Sequence, residues 1–198
     1  MSMRPPVGGE SDPTRSEILR VAGLLFLERG YDATTTRSIA QRVGLTPAAA
    51  AHHFGRKHEL YLAVTASMQW AVYEIIEEIV EGPGSLLDKI ELILRLEEQA
   101  PEREPGYLRF LASVGVEASR HPELESALSQ VPFNDLFLRL ADDGVAGGEV
   151  AADDRALLLR ALRVMLAGIG LSSWDLPGAH SPADAAVELV RGRLLNRT

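Results

Sequence analysis

The sequence contains no cysteine, and this absence excludes several kinds of site at once. Without thiols there is no disulfide, no thiolate-bound zinc and no cysteine nucleophile. Aromatic residues are also scarce, at 6% of the 198 residues. Hydrophobic residues nevertheless make up 46% of the chain, which is enough for a globular protein with one sizeable core or a small module joined to a larger one.

Long uninterrupted hydrophobic runs are missing as well. The most apolar region, 156–171, is interrupted by Arg160 and Arg163, so we expect no membrane span. Residues 1–13 are rich in proline, glycine and serine and lack an apolar stretch. We expect them to be a disordered tail rather than a signal peptide, and the protein to be cytoplasmic.

The charge is unevenly distributed along the chain. The net charge is −8, which by itself argues against a nucleic-acid partner. Residues 1–60, however, hold eight Lys and Arg against six Asp and Glu, whereas residues 61–198 hold twelve against twenty-two. The N-terminal part therefore escapes the acidity of the rest, as a phosphate-binding face requires.

Hydrophobic residues recur at spacings of three and four, and no stretch alternates as a strand does. The pattern predicts an all-α protein of about nine helices. Thr14-Arg15-Ser16-Glu17 predicts a capping box for the first helix, which Gly30 should end. Pro132 should break a helix that begins at Pro122, and Ser181-Pro182 should open a last helix that ends near Leu195.

Two short helices, predicted over about 35–43 and 48–53, are joined by Val43-Gly44-Leu45. Glycine permits the sharp turn between them, and Thr46 with Pro47 is typical of a capped helix start. This arrangement is the helix-turn-helix pattern, in which the second helix enters the major groove of DNA.

Residues 14–62 resemble the DNA-binding domain of the tetracycline-repressor (TetR) family of bacterial regulators. The matching positions are Ile18 to Phe26, Gly30 to Arg37, Ile39-Ala40, Val43-Gly44, His53-Phe54 and Lys57 to Leu60. The resemblance implies a helix-turn-helix DNA-binding domain over 14–60 and a helical ligand-binding and dimerisation domain over 61–198. It also implies a homodimer that binds a near-palindromic operator in double-stranded DNA, and a repressor that a small-molecule ligand releases.

Carried over position by position, the resemblance implies DNA contacts at the start of the second helix, along the third helix and around the start of the fourth. These contacts are Thr35, Thr36, Arg37, Thr46, Pro47, Ala48, Ala51, His52, His53, Arg56 and Lys57. Ala50 stands where the family commonly has Leu or Ile, Ala51 where it often has tyrosine, and Arg56 where a small capping residue is usual. We therefore expect sequence preference to depend on Arg37, Thr46, methyl contacts and DNA shape.

The C-terminal helices carry two further predictions. The helix over 156–171 is apolar almost all round. We expect this helix and the last helix of each subunit to pack together as a four-helix bundle in a dimer. Its predicted interface residues are Leu158, Leu162, Leu166, Ile169, Val187, Val190 and Leu194. A pocket for a mostly apolar small molecule should be lined by Met68, Tyr73, Tyr107, Phe110, Phe133, Phe137, Met165 and Trp174, with Arg109 or Asn134 orienting a polar end.

Other patterns have simpler explanations. His52-His53 lacks a third metal ligand nearby, and Gly168-Ile169-Gly170 follows no strand, so it indicates close helix packing rather than a dinucleotide site. Carboxylate pairs such as Asp142-Asp143 are typical of solvated helix faces and helix caps. We expect no metal and no cofactor. An enzyme and a ligand-independent architectural DNA-binding protein remain the alternatives, and the acidic body disfavours the latter.

Overall fold

The fold is known from a computed structural model that describes residues 12–96, 107–129, 133–172, 181–192 and 194. These residues form nine α-helices, two 3-10 helices and no β-strand, so the all-α prediction is confirmed. The chain divides into two compact units between Thr65 and Ala66. The α-helices are α1 (Pro13–Ala33), α2 (Thr36–Arg42), α3 (Pro47–Phe54), α4 (Lys57–Glu81), α5 (Leu86–Leu94), α6 (Tyr107–Arg120), α7 (Phe133–Ala146), α8 (Arg155–Ser172) and α9 (Pro182–Val190). Among these helices, none has a segment with the length and apolar character needed to cross a bilayer.

Helix α1 begins differently from the prediction. Pro13 takes the first helical position, where its fixed φ suits the helix and its missing N–H costs nothing, so Asp12 becomes the cap. The Asp12 carboxylate accepts a hydrogen bond from the Thr14 N–H at 3.0 Å. Glu17 binds Arg20 through two hydrogen bonds of 2.8 and 2.9 Å instead of reaching back. The predicted capping box at Thr14 and Glu17 is therefore wrong.

The end of α1 follows the sequence more closely. Gly30 leaves the helical conformation with φ at 77°, a value that favours glycine, and a short turn continues to Ala33. The buried hydroxyl of Thr34 then donates to the carbonyls of Leu25 and Gly30, at 3.0 and 2.9 Å. These two contacts hold the residue that follows α1 against the last turns of the helix.

The core of the N-terminal unit is organised around three aromatic rings. Phe26 and Tyr61 meet edge to face with 4.9 Å between ring centroids, and Tyr31 and Tyr61 do so at 5.1 Å. All three side chains are buried, together with Ile18 and Ile39. Because α1, α2 and α4 all contribute to this cluster, it holds the start of α4 against α1 within the unit.

In the C-terminal unit, α6 and α8 approach very closely at Gly170. A Cβ on Gly170 would lie 2.6 Å from the Leu108 carbonyl oxygen and 3.1 Å from the Ala112 Cβ, so no larger residue fits. Gly168, two residues earlier, has no atom within 4 Å of the same position. The interpretation of Gly168-Ile169-Gly170 as a packing motif is therefore confirmed for Gly170 and not for Gly168.

The segment after Pro122 is a 3-10 helix, Pro122–Ser129, rather than an α-helix. Its two fully buried residues, Leu124 and Ala127, are three positions apart, which matches the three-residue turn of a 3-10 helix. Pro132, where a break was predicted, lies outside the described residues. Helix α7 begins immediately afterwards, at Phe133.

Helix α9 is tied to α5 by two ion pairs. Asp184 accepts a hydrogen bond from Arg95 at 2.7 Å, and Glu91 accepts one from Arg191. Asp184 also accepts the Ser181 backbone N–H at 2.9 Å, which closes a capping box at the start of α9. The backbone bond from Ser181, and next the bond from Arg95, lower the pKa of Asp184.

Helix α9 ends at Val190, about one turn before the predicted end near Leu195, which itself lies outside the described residues. Gly192 follows with φ at 68°, a left-handed conformation that closes a helix, and its N–H reaches the Leu189 carbonyl at 3.0 Å. Leu194 therefore lies beyond the helix and is exposed.

Candidate DNA-binding surface and ligand cavity

The turn between α2 and α3 has the geometry that the sequence predicts. Gly44 adopts φ of 72°, and the next residue, Leu45, donates its N–H to the Ala40 carbonyl at 2.9 Å. The Thr46 hydroxyl then accepts the Ala49 N–H at 3.2 Å, with Pro47 at the first helical position. The start of α3 is thus fixed by a glycine turn and a threonine cap.

Helix α3 has one inward face and one small, exposed face. Ala50 is only 6% exposed, and Phe54 is buried beside it. Ala48, Ala51 and His52 are exposed on the other side. The outward surface of this helix therefore consists mostly of methyl groups, which contact thymine methyls and follow groove shape rather than read hydrogen-bonding edges.

Helix α2 begins with a reciprocal cap. The Thr35 hydroxyl accepts the Ser38 N–H at 3.0 Å, and the Ser38 hydroxyl accepts the Thr35 N–H at 3.2 Å. Arg37 is exposed, whereas Thr36 is half-buried. These caps orient the first turn of α2, where free N–H groups are suited to bind a phosphate.

Lys57, the first residue of α4, is held in place by the end of α1. Its ammonium nitrogen lies 4.1 Å from the centre of the Tyr31 ring and 3.3 Å from the Asp32 carbonyl oxygen. An ammonium group has three donors, so this hydrogen bond leaves others for a phosphate. The side chain is positioned rather than neutralised by these contacts.

Arg56 precedes α4 and is exposed. The carboxylate of Glu59, at the third helical position, accepts the backbone N–H of Arg56. This bond is the one that the third residue of a capping box makes to the N-cap backbone. The Arg56 side chain takes no part in this cap.

His53 points toward the start of α1 rather than outward. Its Nδ1 lies 3.2 Å from the Asp12 carboxylate, whereas His52 is exposed. The two imidazole centroids are 6.0 Å apart with planes at 69°, so the rings diverge. Over the described residues, no group of three or more metal-ligating side chains includes them.

A cavity of about 310 Å³ lies in the C-terminal unit. Its lining comes from α4, α6, α7, α8 and the residue that follows Arg95. The apolar lining residues are Val72, Ile76, Leu96, Leu108, Leu111, Ala112, Phe133, Leu166 and Ala167. Gln69 and Arg163 are the polar residues among those that line it.

The two polar lining residues differ in depth. Gln69 is only 8% exposed, and its Nε2 donates to the Ala127 carbonyl at 2.9 Å. Its Oε1 is buried and has no hydrogen-bond partner among the described residues. Arg163 is exposed and donates to the neutral side chain of Asn134, so the cavity opens to the surface beside it.

Comparison with known proteins decides the family. The profile of bacterial regulatory proteins of the tetR family matches residues 18–64, which span the helix-turn-helix. A crystal structure of a TetR/AcrR-family transcriptional regulator from Thermobifida fusca is 27% identical, with a TM-score of 0.58 over 93% of this chain and 98% of that one. Residues 18–64 are a DNA-binding domain of the TetR family.

Two curated relatives extend the comparison. The regulator UidR of Escherichia coli K12 is 24% identical over 190 residues, 93% of this chain and 95% of its own length. The nucleoid occlusion factor SlmA of Aliivibrio fischeri is 28% identical over 118 residues, and the alignment spans 59% of this chain and 60% of SlmA.

The implied DNA contacts lie at the start of α2, along α3 and around the start of α4. Eight of them are exposed: Thr35, Arg37, Thr46, Pro47, Ala48, Ala51, His52 and Arg56. Thr46 also caps α3. Lys57 and His53 each have an intramolecular partner, and their contact with DNA stays a prediction.

The predicted dimer interface needs correction. Leu162, Ile169 and Val187 are buried within the single chain, so they cannot lie on a surface between subunits. Leu158, Leu166 and Val190 pack partly buried against the same core. A helix that is apolar all round does not reveal which face its own chain covers. The contact of Leu158, Leu166, Val190 and the exposed Leu194 with a second subunit stays a prediction.

The predicted ligand residues are mostly core. Phe110 and Phe137 are buried and Met165 packs against the core. Among the predicted residues whose side chains the structure describes, only Phe133 lines the cavity. Tyr73 is not a lining residue but has its ring 6.1 Å from that of Phe133.

The remaining predicted ligand residues are Met68, Tyr107 and Trp174. Met68 is not a lining residue. Tyr107 begins α6, and Trp174 lies outside the described residues.

The prediction missed Gln69 and Arg163. Gln69 shares a face of α4 with Val72 and Ile76, at spacings of three and seven. A glutamine within such an apolar stripe is a detectable signal, because a buried amide needs partners.

Proposed function

We propose that this chain is a DNA-binding transcriptional regulator, a homodimeric repressor that a small-molecule ligand releases from its operator. The observation that carries the proposal is the capped, exposed start of α3, flanked by the exposed cations Arg37 and Arg56. The relative UidR, named an HTH-type transcriptional regulator, aligns over 95% of its length and supports the proposal. The protein would act where its DNA is, in the cytoplasm.

Binding would place α3 in the major groove with its start toward the bases. Thr46, Pro47 and Ala48 would meet the groove edge, and Arg37 would reach a base or a phosphate. Lys57 would bind a phosphate with the donors that Asp32 leaves free. Because the two subunits of a symmetric dimer present the same surface, the operator would be a near-palindrome.

Dimerisation would use the exposed face of α8 rather than the predicted inward one. Leu157, Val164 and Leu171 are seven residues apart and remain 66%, 71% and 45% exposed in the single chain. Leu189 on α9 adds a fourth exposed leucine or valine, at 49%. Apolar residues at a spacing of seven form a continuous stripe along one helix face, which suits a four-helix bundle between subunits.

Release by ligand requires only that the ligand prefer a conformation that fits the operator poorly. The cavity of about 310 Å³ is within the size range of small-molecule sites. We propose no enzymatic activity, because polar groups such as Asp142, bound to Arg155 at 2.9 Å, serve ion pairs and caps. Coupling of about 1–3 kcal/mol would weaken operator binding about 5- to 150-fold.

The DNA-binding part is tested by selecting duplexes from a random pool and measuring affinity by fluorescence anisotropy at several salt concentrations. Lys57→Met keeps the side-chain stem on the Tyr31 ring but loses the charge. It should weaken all sequences alike and reduce the salt slope by about 0.9 per subunit. Arg37→Ala should instead relax base preference at one position, at a cost of about 1–3 kcal/mol.

Arg20→Ala is the matched control, because it removes an exposed cation of the same unit that Glu17 already holds. It should leave the salt slope close to that of the unaltered chain. If Lys57→Met and Arg20→Ala behave alike, or if no sequence is enriched, the proposed DNA-binding surface is wrong. Equal losses on selected and random DNA for Arg37→Ala would make Arg37 a phosphate contact.

The dimer is tested with Val164→Glu, which puts a charge into the centre of the exposed stripe on α8. Sedimentation velocity should show dimers for the unaltered chain at micromolar concentration and monomers for the variant. Ser119→Glu, at an exposed position of α6, adds the same charge elsewhere and should stay dimeric. A variant at Val164 that sediments as a dimer would exclude this face as the interface.

A further inference from the structure

The cavity carries chemical information beyond its size, because its two polar lining residues lie at different depths. Gln69 is buried, whereas Arg163 is exposed where the cavity opens. The other lining residues, such as Val72, Leu108 and Leu166, are apolar. The inner and the outer end of any bound molecule therefore meet different polar groups.

The orientation of the Gln69 amide follows from its neighbour. The Ala127 carbonyl can only accept, so the NH₂ group of Gln69 must face it at 2.9 Å. The Oε1 atom is then fixed on the other side, buried and without a partner in the described part of the chain. An unpaired buried carbonyl oxygen is costly, and a small shift of the side chain that admits a donor from a bound molecule would remove that cost.

Arg163 sets the chemistry at the opening. Its guanidinium has five N–H donors, and its hydrogen bond goes to the Asn134 side-chain oxygen, which carries no charge. The positive charge is not neutralised by that bond. Arginine with donors to spare binds carboxylates in a paired geometry.

We propose that the cavity binds an elongated amphipathic acid, with an O–H or N–H donor at its inner end and a carboxylate at its outer end. The donor meets Gln69 Oε1, the apolar middle packs between α4, α6 and α8, and the carboxylate meets Arg163. This inference rests on the proposed ligand-responsive function but concerns binding alone, which is measured without DNA.

The probes are ω-hydroxyalkanoic acids of six, eight and ten carbons, whose two ends carry the required groups at three separations. The matched probes are the alkanoic acid of equal length, which lacks the donor, and the α,ω-diol, which lacks the charge. Affinities are measured by isothermal titration calorimetry on the full chain. At the best length, the hydroxy acid should bind about three- to tenfold tighter than the alkanoic acid, the range of one net hydrogen bond.

Two variants assign the ends. In Gln69→Met the hydroxy acid and the alkanoic acid should bind equally, because the acceptor is gone. In Arg163→Gln both acids should weaken by about tenfold or more while the diol is unaffected, since a charge-assisted bond is lost. Gln69→Met also strands the Ala127 carbonyl, so the comparison of probes on the unaltered chain provides a test that needs no variant.

The inference is overturned if the alkanoic acid binds as tightly as the hydroxy acid, if the preference survives Gln69→Met, or if none of the three hydroxy acids binds. Operator release is then measured separately by anisotropy. Tight binding of the hydroxy acid with no release would contradict the proposed switch and leave the ligand class standing. Release by compounds that lack the donor, at concentrations at which no hydroxy acid binds, would support the switch and contradict the ligand class.

Discussion

The close approach of α6 and α8 makes Gly170→Ala a sharp test of the fold. The added Cβ would lie 2.6 Å from the Leu108 carbonyl oxygen and 2.9 Å from its carbon. Both atoms are backbone, so the contact can be relieved only by moving one helix away from the other. A separation of roughly 0.5–1 Å forfeits a quarter to a half of the dispersion energy at each contact.

The expected magnitude follows from two opposing effects. Overpacking of a well-packed interior costs about 1–3 kcal/mol, whereas replacing glycine by alanine inside a helix stabilises by about 0.5–1 kcal/mol. We expect a net loss of about 1–2 kcal/mol in the free energy of unfolding. For a chain of this size this loss corresponds to a fall of about 2–8 °C in Tm.

Urea and thermal unfolding followed by circular dichroism measure the change. Gly115→Ala is the matched control, because Gly115 lies inside α6 with nothing within 4 Å of an added Cβ. It should raise stability by about 0.5–1 kcal/mol, the helix effect alone. If both variants are stabilised alike, α6 and α8 do not approach as closely as the structure shows.

Two further predictions concern the caps of α3 and α9. Thr46→Ala removes the hydroxyl that caps α3, so it should lower the free energy of unfolding in urea by about 1 kcal/mol and weaken operator binding. Thr46→Ser keeps a hydroxyl and should retain both the stability and the operator affinity. Equal behaviour of the two variants would mean that the cap is not formed. Asp184→Asn should destabilise the chain at neutral pH, because a carboxylate whose pKa is lowered on folding stabilises above its ordinary pKa of 3.8 and loses that effect as the pH falls through the lowered value. The stability difference between Asp184→Asn and the unaltered chain should therefore shrink in acid, and a constant difference down to the acid transition would show that the charge of Asp184 has no role.

Local sequence signals predicted the helix-turn-helix well, because its turn and its helix starts each depend on a residue at that position. Gly44 supplies the positive φ of the turn, and Thr46 caps the helix that follows it. Competition between such signals explains one failure. Asp12 and Thr14 are both good caps, and Pro13 between them decides for Asp12 by occupying the first helical position.

Features that depend on distant contacts were predicted less well. The apolar residues of α8 surround the helix, and the sequence does not show that Leu162 faces the core while Val164 faces outward. The cavity is the space between four helices, and no short-range pattern in the sequence predicts it. Large aromatic side chains such as Phe110 are usually buried in the core. Aromatic residues were therefore a poor guide to which side chains line the cavity.

The seating of Lys57 on the Tyr31 ring has a consequence for the entropy of binding. A free lysine loses about 1.5–2 kcal/mol of rotamer freedom when it is immobilised. Here folding already restricts the chain, since the ammonium group is held 4.1 Å above the ring centre and 3.3 Å from the Asp32 carbonyl. Binding of a phosphate would then restrict the Lys57 side chain little further. The contact would be preorganised, as in a rigid ligand that loses little conformational entropy on binding.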